Sequence, residues 1–195
     1  MRLLTAIYLL CLISTADAQI NLQTLRDRCL PEAPMSTLRA MIQVESSGNP
    51  YAMQIDFPHS LLKRWKLAPG TLRLSRQPKD EQEALAWLAY LQSFHIFVDL
   101  GLMQVSTAKA QYRGISSASL FEPCTNLRTG WQILRDDYDI EVKVYGLGQV
   151  ALAHAISRYN TGNPQRGIDN GYLSRVLDAA KGFSTTAIQP GRSPR

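Results

Sequence analysis

The stretch MIQVESSGNPYAM, residues 41–53, joins an apolar helical run to a strong turn signal, and one glutamate lies at the junction. Glu45 continues a stripe with the spacing i, i+3, i+4, i+7, which is typical of one face of a helix. The other members of the stripe are Leu38, Met41 and Ile42. Gly48-Asn49-Pro50 then ends the helix. The pattern predicts a helix over 35–46 whose buried face ends at Glu45.

Two interpretations of Glu45 follow from this position. A carboxyl at the edge of a buried face is partly desolvated, and desolvation raises its pKa because it disfavours the charged form. A carboxyl that stays protonated near neutral pH can donate a proton to a leaving oxygen. The alternative is a carboxylate that only accepts hydrogen bonds from the backbone N–H groups of the following turn. This stretch alone leaves both interpretations open.

Composition and charge limit the class of protein. The chain has 195 residues, of which 45% are hydrophobic and 19% charged, as in an ordinary globular domain with a core of its own. Its net charge is +5, which suits an acidic partner or polymer. The basic residues are scattered, without a long Lys/Arg run, and this favours a solvated basic surface. We therefore expect no nucleic-acid partner.

The first residues have the pattern of an export signal. A positive charge at Arg2 precedes an apolar run from Leu3 to Ile13, and Ala16-Asp17-Ala18 provides an A-x-A cleavage site. The apolar run is too short to span a bilayer comfortably. The sequence therefore predicts a signal peptide over 1–18 and a mature chain with no membrane span.

The cysteines favour one disulfide. Of the three cysteines, Cys11 lies in the predicted signal peptide, which leaves Cys29 and Cys124. An even pair in an exported chain is typical of a disulfide, and the alternative is two buried free thiols. The histidines are far apart, with no Cys or His at ligand spacing, so we expect no metal site.

The rest of the chain is predicted to be mostly helical. Further helices are expected over 21–28, from Asp80 onwards, through Ala108 and Gln111, and over 123–138, 148–160 and 171–181. The helix from Asp80 has the stripe Trp87, Leu91, Phe94 and Val98, which we interpret as core. Residues 51–79 predict an irregular lobe with a small hairpin, because they combine Pro and Gly with short β-prone pieces. The tail over 183–195 lacks apolar periodicity and is expected to be mobile.

Three short motifs carry a family resemblance. ESSGNPYA (45–52), GLMQV (101–105) and RYNTGN (158–163) occur in this order, and FEPCTNLRTGWQIL (121–134) lies between the last two. Together they resemble the lytic transglycosylases with a goose-type-lysozyme-like (SLT) catalytic domain, in the VirB1-like group of type IV secretion and conjugation systems. The resemblance implies a mainly α, lysozyme-like α+β domain over 19–182. In that fold a small irregular or β lobe flanks the active-site cleft.

The resemblance also implies roles for individual residues. Glu45 is similar to the family's catalytic acid/base, which protonates the glycosidic oxygen between N-acetylmuramic acid and N-acetylglucosamine. The residues it assigns to substrate binding are Ser46, Ser47, Met103, Gln104, Tyr159 and Asn160. Among them, the Tyr159 hydroxyl is expected near the catalytic carboxyl, and Gln104 is expected to hydrogen-bond the glycan.

One carboxylate suffices in the mechanism that the resemblance implies. Most glycosidases need two, but here the substrate's own 6-hydroxyl attacks, and the product is a 1,6-anhydro sugar formed without cofactor or metal. Asp56 and Asp99 have no supporting motif, and we interpret both as solvated or turn-stabilising groups.

Many larger relatives carry a glutamate ahead of a Gly-Tyr, and at Gly171-Tyr172 this glutamate is missing. The role of that last motif is therefore left open.

The resemblance implies a place of action as well. Export would bring the protein to the periplasm, where its partners would be peptidoglycan glycan strands and components of a secretion or conjugation apparatus. Two alternatives stay open. One is a hydrolytic muramidase, which a well-placed Asp56 would favour, and the other is a non-catalytic peptidoglycan-binding assembly factor.

Overall fold

A computed structural model describes residues 21–56, 74 and 76–185. The predicted signal peptide, residues 57–73 of the predicted irregular lobe and the tail from 186 lie outside the described residues. None of the helices in the described part is long and apolar enough to cross a membrane.

The described residues form a helical domain with a small sheet. In chain order the elements are α1 (Leu22–Cys29), α2 (Met35–Ser46), β1 (Met53–Asp56), α3 (Glu81–Ser93), β2 (Phe97–Leu100), β3 (Val105–Ser106), α4 (Thr107–Tyr112), a 3-10 helix (Ala118–Phe121), α5 (Pro123–Tyr145), α6 (Gln149–Thr161), α7 (Arg166–Asp169) and α8 (Tyr172–Thr185). This confirms the predicted fold class, a mainly α domain with a small β lobe.

The sheet places three polar side chains on one face. Its strands are antiparallel in the order β1-β2-β3. Gln54 lies opposite Asp99, and Asp99 lies opposite Ser106. Directly opposed residues point to the same side of a sheet. These three residues therefore form a polar surface beside the helical domain.

The predicted buried face of α2 is present. Leu38 and Met41 are fully buried and Ile42 nearly so. They pack in the core together with Tyr172 and Val176 of α8. This packing fixes the C-terminal end of α2, where Glu45 lies, against the start of α8.

The predicted stripe on α3 is wrong at its end. The helix stops at Ser93, so Phe94 is 57% exposed, and Val98 is buried in β2 instead of continuing the helical face. Ile96, Phe97 and Val98, which follow the turn, are β-branched or aromatic and favour a strand. Trp87 and Leu91 do pack against the core, as expected.

Two helices extend beyond their predicted ends. α5 continues to Tyr145, beyond the predicted residue 138, because no Gly or Pro interrupts it before Gly146. α8 continues to Thr185 instead of ending at 181. The 3-10 helix and α7 were not predicted, because four residues are too few for a periodic signal.

Cys29 and Cys124 lie side by side. Cys29 ends α1 and Cys124 lies in the first turn of α5, with their Cα atoms 5.3 Å apart. This separation is within the range of disulfide-bonded pairs. The Arg128 guanidinium also donates a hydrogen bond of 2.9 Å to the Cys29 carbonyl, so α1 and α5 are in contact here.

Candidate active site

A cleft of about 330 Å³ lies between the sheet and the helices α4, α5 and α6. The residues that line it are Glu45, Gln54, Asp99, Gln104, Val105, Ser106, Lys109, Ile133, Tyr159, Asn160, Thr161 and Gly162. The polar face of the sheet forms one wall, and α4 and the end of α6 form the other. We call these the sheet wall and the helix wall.

Glu45 is a carboxyl group of this cleft whose pKa is raised. It lies in the last turn of α2 and accepts a hydrogen bond from the Tyr172 hydroxyl. Burial raises the pKa of Glu45 to about 7, and the negative charge of Asp99 adds to the rise. The Tyr172 hydrogen bond and the positive charge of Arg175 lower this pKa and limit the increase. At neutral pH the carboxyl therefore populates both its protonated and its ionised form.

Tyr172 is a site residue that the sequence did not assign. It is buried at the start of α8, and its hydroxyl also lies 3.8 Å from the Met41 sulfur. Burial, followed by the charge of Glu45, raises the pKa of Tyr172 far above its ordinary value, so the hydroxyl keeps its proton and remains a donor. The available signal was Gly171-Tyr172, but its missing glutamate left the motif without a role.

Tyr159 lines the same cleft as Glu45. Its hydroxyl, which was expected near Glu45, donates a hydrogen bond of 2.7 Å to the Met103 carbonyl. Burial, with a smaller contribution from the charge of Glu45, raises its pKa. The hydroxyl that contacts Glu45 belongs to Tyr172, because α8 and not α6 packs against the end of α2.

The GLMQV segment lines the cleft with Gln104 and Val105, and its Met103 lies beneath them. Gln104 lines the cleft, and its amide nitrogen donates to the carbonyls of Ala52 and Gly101, at 3.1 and 3.0 Å. Among the described residues, its side-chain oxygen has no hydrogen-bond partner. Met103 is fully buried and does not line the cleft. It supports the wall through its backbone instead of facing the substrate space.

Asn126 holds this segment in place. Its amide nitrogen donates to the carbonyls of Leu100 and Leu120, at 2.7 and 2.8 Å, and its oxygen accepts from the Met103 N–H at 2.8 Å. Asn126 is 1% exposed, so these bonds are shielded from water. The sequence placed Asn126 in a family-like segment but did not predict this role.

Ser46 and Ser47 do not line the cleft. The Ser46 hydroxyl donates to the Leu102 carbonyl at 2.8 Å and so joins the end of α2 to the GLMQV segment. Ser47 is exposed in the left-handed conformation that ends α2, with φ 53°. Asn160 is exposed at the mouth of the cleft, where its side-chain oxygen accepts from Asn170 at 3.4 Å.

The two candidate second carboxylates differ in position. Asp99 lies on the sheet wall, in the same cleft as Glu45. The backbone of Asp56 ends β1, and its side chain lies outside the described residues. Across the residues that the structure describes, no group of three or more His, Cys, Asp or Glu side chains is arranged to hold a metal ion.

Comparisons with known proteins indicate the family of this chain. Residues 28–172 match the family model of the transglycosylase SLT domain. The type IV secretion system protein virB1 of Brucella abortus biovar 1 (strain 9-941) is 35% identical over 162 residues, covering 80% of this chain and 62% of that protein. The protein virB1 of Rhizobium radiobacter is 29% identical over 167 residues, covering 84% of this chain and 62% of that protein.

The chain spans less than two thirds of the length of these relatives. No solved structure matches it significantly. The family model nevertheless covers most of the chain, including the Glu45 turn, the GLMQV segment, the end of α6 and Tyr172. The chain therefore belongs to the transglycosylase SLT domain family.

Proposed function

We propose that this protein is a peptidoglycan lytic transglycosylase that cleaves the β-1,4 bond between N-acetylmuramic acid and N-acetylglucosamine. Its membership of the family supports this function. The observation that carries it is Glu45, a carboxyl with a pKa of about 7 that lies in the cleft and is held by Tyr172. Such a group can act both as a proton donor and as a proton acceptor at neutral pH.

In the first step, protonated Glu45 gives its proton to the glycosidic oxygen. The bond between this oxygen and C1 of the muramic acid breaks, and N-acetylglucosamine leaves with a free 4-hydroxyl. The substrate's N-acetyl group stabilises the positive charge that develops at C1. Glu45 is left ionised, and the Tyr172 hydroxyl donates a hydrogen bond to the new carboxylate.

In the second step, the 6-hydroxyl of the same muramic acid attacks C1. Glu45 takes the proton of this hydroxyl, the O6–C1 bond forms, and the 1,6-anhydro product is released without consumption of water. Because the nucleophile belongs to the sugar that already occupies the site, its proximity supplies much of the rate advantage. Glu45 ends the cycle protonated, as it began.

Asp99 favours a second candidate, a hydrolytic muramidase. It lies in the cleft with Glu45, and many glycosidases use a second carboxylate to activate a water molecule. Hydrolysis would give a reducing muramic acid end, which is heavier by one water than the anhydro end. The two candidates therefore differ in a quantity that can be measured.

Mass spectrometry of purified peptidoglycan digested by the protein tests the proposal. We expect anhydro-muropeptides from the wild type, and also from Asp99→Asn. Reducing-end products that disappear in Asp99→Asn would establish the muramidase instead. Release of no soluble product by a folded protein would favour the peptidoglycan-binding assembly factor.

The proposed place of action is the periplasm. We propose that residues 1–18 are removed as a signal peptide and that Cys29 and Cys124 form a disulfide after export. Their Cα separation of 5.3 Å supports this bond. The mass of the intact protein from the periplasm tests both modifications, because cleavage removes the leader and the disulfide removes two hydrogens.

The name of the Brucella relative, a type IV secretion system protein, supports a role in opening the wall locally for a secretion or conjugation apparatus.

A further inference from the structure

Lys109 places a positive charge on the helix wall of the cleft. Its ammonium donates a hydrogen bond of 3.3 Å to the Tyr159 carbonyl and lies 5.5 Å from the centroid of the Tyr159 ring. This carbonyl belongs to the last turn of α6, where the helix dipole favours a cation. The ammonium is therefore held at a defined point of the wall.

Lys109 forms no ion pair with a described residue, although its positive charge lowers the pKa of Asp137 and, to a smaller extent, that of Glu45. No carboxylate in the described part of the chain lies within ion-pair distance of it. Nearby arginines differ, since Arg113 pairs with Asp136 at 2.7 Å and Arg158 with Glu141 at 2.5 Å. An ammonium has three N–H donors, and the Tyr159 carbonyl takes one of them.

Lys109 shares the cleft with neutral polar side chains and with the carboxyl groups of Glu45 and Asp99. A negatively charged substituent of a bound substrate is attracted to the Lys109 ammonium. Next to Lys109, the helix wall continues with Asn160, Thr161 and Gly162, so a small polar group can approach the ammonium there.

The glycan itself does not explain this cation. Its backbone carries hydroxyl and N-acetyl groups, which are neutral. The carboxylates of peptidoglycan belong to the lactyl substituent of muramic acid, either in the stem peptide attached to it or, where that peptide has been removed, on the free lactyl group. A cation fixed in the cleft thus matches the substituent and not the sugar chain.

We propose that Lys109 binds a carboxylate on the lactyl substituent of muramic acid, and so makes the enzyme prefer glycan that is negatively charged beside the bond to be cleaved. This inference rests on the proposed function. It names a specificity-determining residue for the same cleft. Lys109 also acts as a cap for α6, and the experiment must separate the two roles.

The experiment compares rates of product release from paired substrates at one pH. The first pair is intact sacculi and sacculi whose carboxylates have been converted to neutral amides with carbodiimide and methylamine. The second pair is glycan strands freed of peptide by an amidase, with the lactyl carboxylate either free or amidated in the same way. Each comparison is made for the wild type, Lys109→Gln, Lys109→Arg and the control Lys143→Gln, which changes an exposed lysine on α5.

We expect the wild type to prefer the charged member of a pair by about three- to tenfold, as for one charge-assisted contact. Lys109→Gln should lose this preference, whereas Lys109→Arg and Lys143→Gln should keep it. A preference within the first pair places the anion on the stem peptide, and one confined to the second pair places it on the lactyl group. Rising salt should weaken the preference, because screening reduces the attraction.

The ratio of rates separates this role from the other effects of Lys109. A change in stability or in the protonation of Glu45 alters the rates on both substrates of a pair equally, so the ratio of the two rates would not change.

Equal rates within both pairs for the wild type, or an unchanged preference in Lys109→Gln, would overturn the inference while the proposed function stands. If Lys109→Gln does not fold, equal rates within both pairs for the wild type, or a preference lost in folded Lys109→Arg, still overturn the inference. No product from any substrate would contradict the proposed function itself.

Discussion

At the scale of single residues, the site depends on a carboxyl and a phenol that are distant in sequence. Glu45 ends α2 and Tyr172 begins α8, and their contact forms because the two helices pack together in the core. A helical stripe and a turn signal marked Glu45 as a candidate, and the family resemblance implied its catalytic role. The sequence did not predict Tyr172, because packing between helices determines which of two tyrosines reaches the carboxyl.

Changing Tyr172→Phe should reduce activity and shift its pH dependence. Without the donor the Glu45 carboxylate is less stable, so its pKa rises, because the Tyr172 hydrogen bond lowers it in the wild type. Activity that needs protonated Glu45 falls as pH rises through this pKa, and in the variant the fall should occur at a higher pH. We expect kcat to drop about tenfold at pH 7, as for one lost hydrogen bond to a charged group. Profiles of kcat and of kcat/KM against pH measure both effects. A matching profile for Tyr172→Phe and for the control Tyr112→Phe, which alters a tyrosine that is 89% exposed, would contradict the assignment.

Glu45 should also make folding stability dependent on pH. Its pKa is about 7 in the folded protein and near its ordinary value of 4.5 when unfolded. Below the unfolded value the group is protonated in both states. As pH rises towards 7 the unfolded chain ionises first, so the folded state is progressively destabilised relative to it, and above 7 the loss is complete. Glu45→Gln should therefore be more stable than the wild type at pH 8 by about 1–3 kcal/mol, and equal to it near pH 4. Urea unfolding at the two pH values tests this, and the same difference at both would contradict it.

At the scale of elements, close approaches of helices form the walls of the cleft. α5 passes so near the GLMQV segment that a Cβ atom at Gly130 would lie 2.7 Å from the Met103 Cβ and 3.0 Å from the Tyr159 hydroxyl oxygen. Only a residue without a side chain fits between these groups. The Tyr159–Met103 hydrogen bond therefore depends on a glycine in the middle of α5.

Gly130→Ala should destabilise the protein and disturb the cleft. The added methyl group forces Met103 and Tyr159 apart, which we expect to cost about 1–3 kcal/mol of unfolding free energy and to lower activity more than that loss of folded protein explains. Thermal or urea unfolding and the rate of product release measure the two effects. Gly182→Ala is the matched control, because a Cβ there has nothing within 4 Å. It should leave stability unchanged or raise it slightly. Similar behaviour of the two variants would contradict the close approach.

The helices also show which elements could be predicted from the sequence and which could not. Periodicity found α2, α5 and α6, because each has a long apolar face between Gly or Pro signals. It failed after Ser93, where the stripe continued through Phe94 to Val98 although the chain turns into a strand. A pattern of apolar residues does not show a change of element when residues of the next element happen to have helical spacing.

At the scale of the whole molecule, Cys29 at the end of α1 lies beside Cys124 in the first turn of α5. The two residues are 95 positions apart, so the proposed disulfide closes a long loop. The sequence favoured this pair because export and an even cysteine count agree. It could not bring Lys109, Asp99 and Gln54 into one cleft, because their positions depend on sheet register and helix packing and not on a motif.

Replacing both cysteines with serine should lower stability. Loss of a disulfide that closes a loop of this length typically costs about 2–5 kcal/mol. We expect the unfolding midpoint in urea to fall by a corresponding amount, with the activity of the folded variant preserved. Reduced wild-type protein is the control and should behave like the variant. Equal midpoints for the oxidised wild type and the double variant would contradict the disulfide.

The central claim is that Glu45 transfers the protons of glycan cleavage. The most direct test is the rate of soluble muropeptide release from purified peptidoglycan by the wild type and by Glu45→Gln, with folding of both checked by circular dichroism. Gln keeps the shape of the side chain but cannot transfer the proton, so release should fall about 100-fold or more while binding to sacculi is retained. Release by folded Glu45→Gln at a rate close to that of the wild type would contradict the account.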